Sequence, residues 1–118
     1  MKATPPLPAE FLERVADTVK IIGHPLRLQI LDYLDRHGAS PVGAIAEGVG
    51  GAQAAVSQHL NKMRLAGVVA ARRVGRQVHY GQLSPSARTL LGCMRRQFAA
   101  RRSATPTPNG AERGPGRT

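Results

Sequence analysis

What the chain has little of narrows its options first. It holds no tryptophan, two phenylalanines and two tyrosines in 118 residues, so leucine, isoleucine, valine and alanine must fill the core of about one domain. A core that small gains from burial against a second copy. The single cysteine, Cys93, excludes an intramolecular disulfide and fits a reducing compartment. Apolar runs extend only a few residues, far short of the ~20 that span a bilayer. The opening MKATPPLPAEF is broken by prolines and then acids, and so lacks the apolar stretch of a secretory signal. Together these absences point to a cytoplasmic protein without a membrane segment. Acids are scarce as well, with none from Gly48 to Ala111. Residues 1–51 carry five basic side chains against six acidic ones, whereas residues 52–118 carry twelve against Glu112 alone. That asymmetry aims the second half at a polyanion, because clustered Lys and Arg gain free energy by releasing counterions from phosphates. A membrane surface is the weaker choice, since no segment joins a long apolar face to a basic one.

From Ala9 to Ile22, Phe11, Leu12, Val15, Ala16, Val19 and Ile22 recur at helical spacing, predicting a first amphipathic helix that Gly23 ends. Pro25 suits the first turn of a second helix, PLRLQILDYLDRHG, where its missing N–H costs nothing. Leu26, Leu28, Ile30, Leu31 and Leu34 cover much of that helix, making it central, and Gly38 is its stop. Ser40-Pro41 is a good cap and first-turn pair for a short third helix with Val42, Ile45, Ala46 and Val49 inward. Gly50-Gly51 forces a turn, and a fourth helix runs from about Ala52 to Ala66, closed by Gly67. This is a helix-turn-helix pattern. VVAARRV and RQVHYGQL flank Val74-Gly75-Arg76 as a two-stranded hairpin with glycine at its tip. Ser84-Pro85 starts a fifth helix with Ala87, Leu90, Leu91, Met94 and Phe98 on one stripe. Residues 1–8 are expected to be a flexible segment, 9–102 the domain, and 103–118, rich in Pro and Gly, a disordered tail.

On the fourth helix Val56, Leu60 and Met63 share the face that must pack inward, leaving Gln53, Ala54, Ser57, Gln58, Asn61 and Lys62 outward. Gln and Asn pair bidentately with adenine, Ser bonds to base or phosphate, and Lys62 and Arg64 neutralise phosphates. A solvated helix face carries similar residues, but the tight turn before it and the basic hairpin after it favour a nucleic-acid groove. His59 falls beside Val56 and Met63, which favours a packed histidine with one satisfied nitrogen over a base reader. The hairpin supplies Arg72, Arg73, Arg76 and His79, and an exposed tip of glycine and arginine can enter a minor groove or follow phosphates as a wing. A merely solubilising hairpin is the alternative.

The stretches HPLRLQILDYL and VSQHLNKMRLAGVVAARRVGRQVHYGQL resemble the ArsR/SmtB family of bacterial winged-helix repressors over about residues 9–100. The resemblance implies a winged helix-turn-helix that is mainly α with a small β-hairpin, in the order of four helices, hairpin and fifth helix. It also implies a homodimer joined through the first and fifth helices, bound to an imperfect palindrome in double-stranded DNA until an inducer releases it. The stripes Phe11/Val15/Val19 and Leu90/Met94/Phe98 independently need partners. Base reading then falls to Gln53, Ser57, Gln58 and Asn61, and phosphate or minor-groove contact to Lys62, Arg64, Arg72, Arg73 and Arg76. Ala52 departs from the family, where a Ser or Thr cap is common.

Metal sensing is not expected. The family's thiolate site would place cysteines at Pro41 and Gly43, and its fifth-helix zinc site needs Asp, His and Glu that SPSARTLLGCMRRQF lacks. His24, His37, His59 and His79 fall on different elements without ligand spacing. No cofactor is implied. Redox-sensing relatives use two cysteines, one on the second helix and one on the fifth, whereas ILDYL has none. Cys93 is thus a possible redox sensor that Arg95 and Arg96 could activate, although a thiol between Leu91 and Met94 is expected to be buried and inert. Other classes stay open: binding of RNA or the ribosome, or a protein-interaction module using the wing and tail. An enzyme is not expected, because Asp32, Asp35 and the scattered histidines supply no nucleophile–base pair in a pocket.

Overall fold

Pro25 begins the helix on which the rest of the molecule packs. His24 precedes it in an extended conformation, and its Nδ1 accepts from the Leu26 N–H at 3.1 Å, satisfying a helix-start donor that has no partner within the helix. The computed structural model describes residues 3–103, so all but the first residue of the expected disordered tail lies outside the described residues. Residues 3–8 are exposed and without regular structure. The order is α1 (Ala9–Ile22), α2 (Pro25–His37), β1 (Ser40–Pro41), α3 (Val42–Val49), α4 (Gln53–Leu65), β2 (Val69–Val74), β3 (Gln77–Leu83) and α5 (Pro85–Ser103).

The core has α2 at its centre. Ile30, Leu31 and Leu34 of α2 are buried with Ile45 and Ala46 of α3 and Val56, Leu60 and Met63 of α4. Val68, Val69, Leu83, Ala87 and Leu91 close it from the base of the wing and from α5. Each large aliphatic side chain buried there stabilises the fold by about 1.5–3 kcal/mol. By contrast α1 buries Ile22 alone.

Gly50 makes the turn between α3 and α4. Its φ is +70°, its N–H reaches the Glu47 carbonyl at 3.3 Å, and the Gly51 N–H reaches the Ala46 carbonyl at 3.0 Å. Side chains with a Cβ adopt this backbone at a cost, so glycine ends α3 where the chain must double back. Helix α4 then starts after Ala52 with no side-chain cap hydrogen bond, in keeping with the absent Ser or Thr. It closes with the Gly67 N–H on the Arg64 carbonyl (3.0 Å) and the Val68 N–H on the Met63 carbonyl (2.8 Å). That Schellman pattern feeds the chain directly into β2.

The sheet corrects one expectation. It has three antiparallel strands in the order β1-β3-β2, not a hairpin alone. Ser40 pairs with Tyr80 and Pro41 with His79, so these residues form a short edge strand rather than the cap and first turn of α3. An edge position tolerates proline, which has no N–H to give. Ser40 is buried and its hydroxyl donates to the Gly38 carbonyl at 2.9 Å, while α3 begins after Pro41 without a side-chain cap.

Candidate nucleic-acid interface

Burial of Val56, Leu60 and Met63 orients α4 and leaves Gln53, Ser57, Gln58, Asn61, Lys62 and Arg64 exposed. The four expected base readers and two expected phosphate contacts therefore all lie on the outer side of one helix. Within this set Arg64 Nη2 donates to Asn61 Oδ1 at 2.7 Å, so the Asn61 amide keeps its NH2 group free for an acceptor. Gln53 sits at the first turn, with its side-chain oxygen toward Gly43 of α3.

Strand β2 pairs with β3 from Val69↔Leu83 to Val74↔Gln77, leaving Gly75 and Arg76 as a two-residue loop. Gly75 has a φ of +63°, the conformation this tight hairpin connection needs. Arg72 stands opposite His79 and Arg73 opposite Val78. Successive strand residues point to opposite faces, so the ribbon carries one arginine on each face and Arg76 at its tip. All three arginines are exposed.

The charge arrangement is equally one-sided. Ion pairs among the described residues are Arg36–Asp32 (3.1 Å), Arg95–Asp32 (2.8 Å) and Arg95–Asp35 (2.7 Å), all on α2 and α5. Asp35, and after it Asp32, hold the Arg95 guanidinium above its ordinary pKa through hydrogen bonds. The cations of α4 and the wing have no carboxylate partner among the described residues, so their field is left for an outside anion.

His59 is half-buried, and its Nδ1 accepts from Arg27 Nε at 3.0 Å. It is a packed histidine with one satisfied nitrogen, as its position beside Val56 implied. Burial first, then Arg27, His24 and Lys62, lower its pKa below 6.5. Arg27 carries no signal of this role in the sequence, and His24 is legible there only as one of four scattered histidines. The stretch HPLR holds both, but their partner on α4 lies 32 residues from Arg27.

Cys93 corrects another expectation, because its side chain is exposed rather than buried. Arg95, a candidate activator of the thiol, is engaged by Asp32 and Asp35 instead. Among the described residues no three His, Cys, Asp or Glu side chains converge, and no helix is long and apolar enough to cross a membrane.

The stripes on α1 and α5 are largely uncovered. Phe11 is 45% exposed, Val19 46% and Phe98 60%, Met94 is also exposed, and Val15 and Leu90 are half-buried.

A helix-turn-helix whose second helix shows a polar face, followed by a basic three-stranded wing, defines the winged-helix class of DNA-binding fold. A family model described as a helix-turn-helix domain matches residues 22–72. The nodulation protein NolR of Rhizobium meliloti is 36% identical over 94 residues, covering 80% of this chain and 76% of that protein. The crystal structure of the transcriptional repressor PagR of Bacillus anthracis superposes with a TM-score of 0.68 at 32% identity, over 74% of this chain and 99% of that one. A homodimeric winged helix-turn-helix DNA-binding domain from Mycobacterium bovis, a possible ArsR-family regulator, gives 0.69 at 27% identity, over 92% and 100%. The chain belongs to the ArsR/SmtB family of winged helix-turn-helix transcriptional regulators, and it is a DNA-binding regulator of transcription.

Proposed function

We propose that the chain is a homodimeric repressor. It lays α4 in the major groove of each half of an imperfect palindrome, sets its wings on the flanking phosphates or minor groove, and leaves DNA on an inducing signal. The observation that carries this reading is the pairing of an acid-free, exposed α4 and wing with a separate apolar face on α1 and α5. Gln53, Ser57, Gln58 and Asn61 read base edges; Lys62, Arg64, Arg72, Arg73 and Arg76 meet phosphate or minor groove. PagR is named a repressor and the Mycobacterium bovis domain is described as a homodimer, which supports carrying both properties over. For the dimer, the physical support is α1 itself. A 14-residue helix that buries only Ile22 is marginal without cover, and a second copy supplies an identical apolar face in two-fold register.

Base reading and phosphate contact separate in a binding assay. Gln58→Ala should weaken the cognate operator by about 1–3 kcal/mol and leave random duplex nearly unchanged, whereas Arg76→Ala should weaken both and reduce the salt slope by about one. Operator affinity unchanged in Gln58→Ala, measured by fluorescence anisotropy, would remove Gln58 from the base readers. Gel shifts with and without a thiol oxidant test Cys93 as the sensor. Loss of binding on oxidation, absent in Cys93→Ser, would support it; equal binding in both proteins would exclude it.

A further inference from the structure

The guanidinium of Arg27 joins three helices at one point. Arg27 lies in the first turn of α2, its Nε donates to His59 Nδ1 on α4 at 3.0 Å, and its Nη1 donates to the Ile21 carbonyl at the end of α1 at 2.7 Å. The Ile21 carbonyl is among the last four of α1, which have no acceptor role inside the helix. One planar fork therefore closes α1 while gripping the middle of α4. His59 directly follows Gln58 and lies two residues after Ser57, both assigned to bases. The grip thus falls under the part of α4 that faces DNA.

We propose that Arg27 is a positioning residue for DNA binding, which holds α4 against the α1–α2 junction through a neutral His59 and loosens that hold when His59 takes up a proton. This rests on the DNA-binding reading of α4. Arg27 is always charged and its Nε can only donate, so the 3.0 Å contact requires an unprotonated Nδ1 on His59. A proton there removes the acceptor and sets two cations face to face. The groups acting on His59 are Arg27 from α2, His24 at the start of α2, its ring 4.7 Å away, and Lys62 from α4 itself. None is an acid, so none favours the imidazolium. The chain of contact runs from α1, which carries half of the proposed dimer face, to the helix that reads bases.

The sign of the pH effect distinguishes this joint from general electrostatics. Protonating exposed histidines adds positive charge and strengthens DNA binding as pH falls. Breaking the joint weakens it. The probe is a duplex selected by the full-length wild-type protein from a random-sequence pool at pH 7.5, with affinity then measured from pH 7.5 to 5.5 at constant ionic strength. Wild-type affinity should fall by about tenfold relative to His59→Asn, whose side-chain oxygen keeps an acceptor near the Nδ1 position without titrating. His59→Asn should stay within about threefold of wild type at pH 7.5, where His59 is neutral. Arg27→Gln should bind weakly throughout and lose the His59-dependent slope, with its melting temperature recorded to show that it is folded. A shared pH profile in wild type and His59→Asn would overturn the joint while leaving the regulator intact, as would a wild-type slope in folded Arg27→Gln. Failure of the wild type to select any duplex at pH 7.5 would overturn the regulator reading and the joint with it.

Discussion

Phe98 gives the sharpest test of the uncovered face. Phe98 is 60% exposed in the protomer, with the Arg102 guanidinium over its ring at 5.7 Å. A phenylalanine presents about 200 Å2, so about 120 Å2 is open on each copy and about 240 Å2 in a two-fold dimer. Covering all of it would contribute about 6 kcal/mol at ~25 cal/mol per Å2. Incomplete cover and the methyl group that alanine retains reduce the effect of Phe98→Ala to about 3 kcal/mol, roughly a hundredfold in the dimer dissociation constant. Sedimentation equilibrium over a concentration series reads this directly. Leu65→Ala is the control: Leu65 is 70% exposed but belongs to neither α1 nor α5, so its removal should leave the dimer unchanged. The protomer should stay folded in both variants, because Phe98 lies outside the buried core. Phe98→Ala that dimerises within threefold of wild type would refute the assignment of α5 to the interface.

Gly50→Ala meets no atom within 4 Å but keeps a φ of +70°, so the backbone penalty stands alone and should cost about 1 kcal/mol in urea unfolding; a neutral result would mean that the turn relaxes. Because His59 has its pKa lowered below 6.5 in the fold, its contribution to stability is complete above about pH 6.5 and declines as pH falls from there through the folded value; His59→Asn should remove that part of the acid limb in a series of melts. Asp35→Asn breaks an exposed pair with Arg95, where Asp32 remains, so thermal unfolding should register less than about 1 kcal/mol.

The helix-turn-helix was legible because its signals are local. Gly50-Gly51, the apolar spacing of Val56, Leu60 and Met63, and the stop at Gly67 each act within a few residues. The exposure of the proposed α4 readers and of the wing arginines followed from the same local patterning. What escaped depends on distant partners. Strand β1 exists because β3, some 40 residues later, offers Tyr80 and His79 as neighbours, and two residues carry no period of their own. Arg27 and His59 meet only once α2 and α4 have packed. Cys93 stands beside apolar sequence neighbours without sharing their face: two positions beyond Leu91 is about 200° around a helix, which turns the thiol away from the core side that Leu91 occupies.

The sheet order has a consequence for the protein when it is not on DNA. With β1-β3-β2, the outer margin of β2 offers backbone N–H and C=O groups with no strand beside them among the described residues, and such a margin invites another chain to add itself. Arg72 and Arg73 sit on that strand, one on each face, where a second wing would bring like charges together. The arginines proposed to meet phosphate would therefore also oppose wing-to-wing stacking of free molecules through like-charge repulsion. Replacing both at once would weaken DNA binding and, in the same stroke, leave a strand open to aggregation.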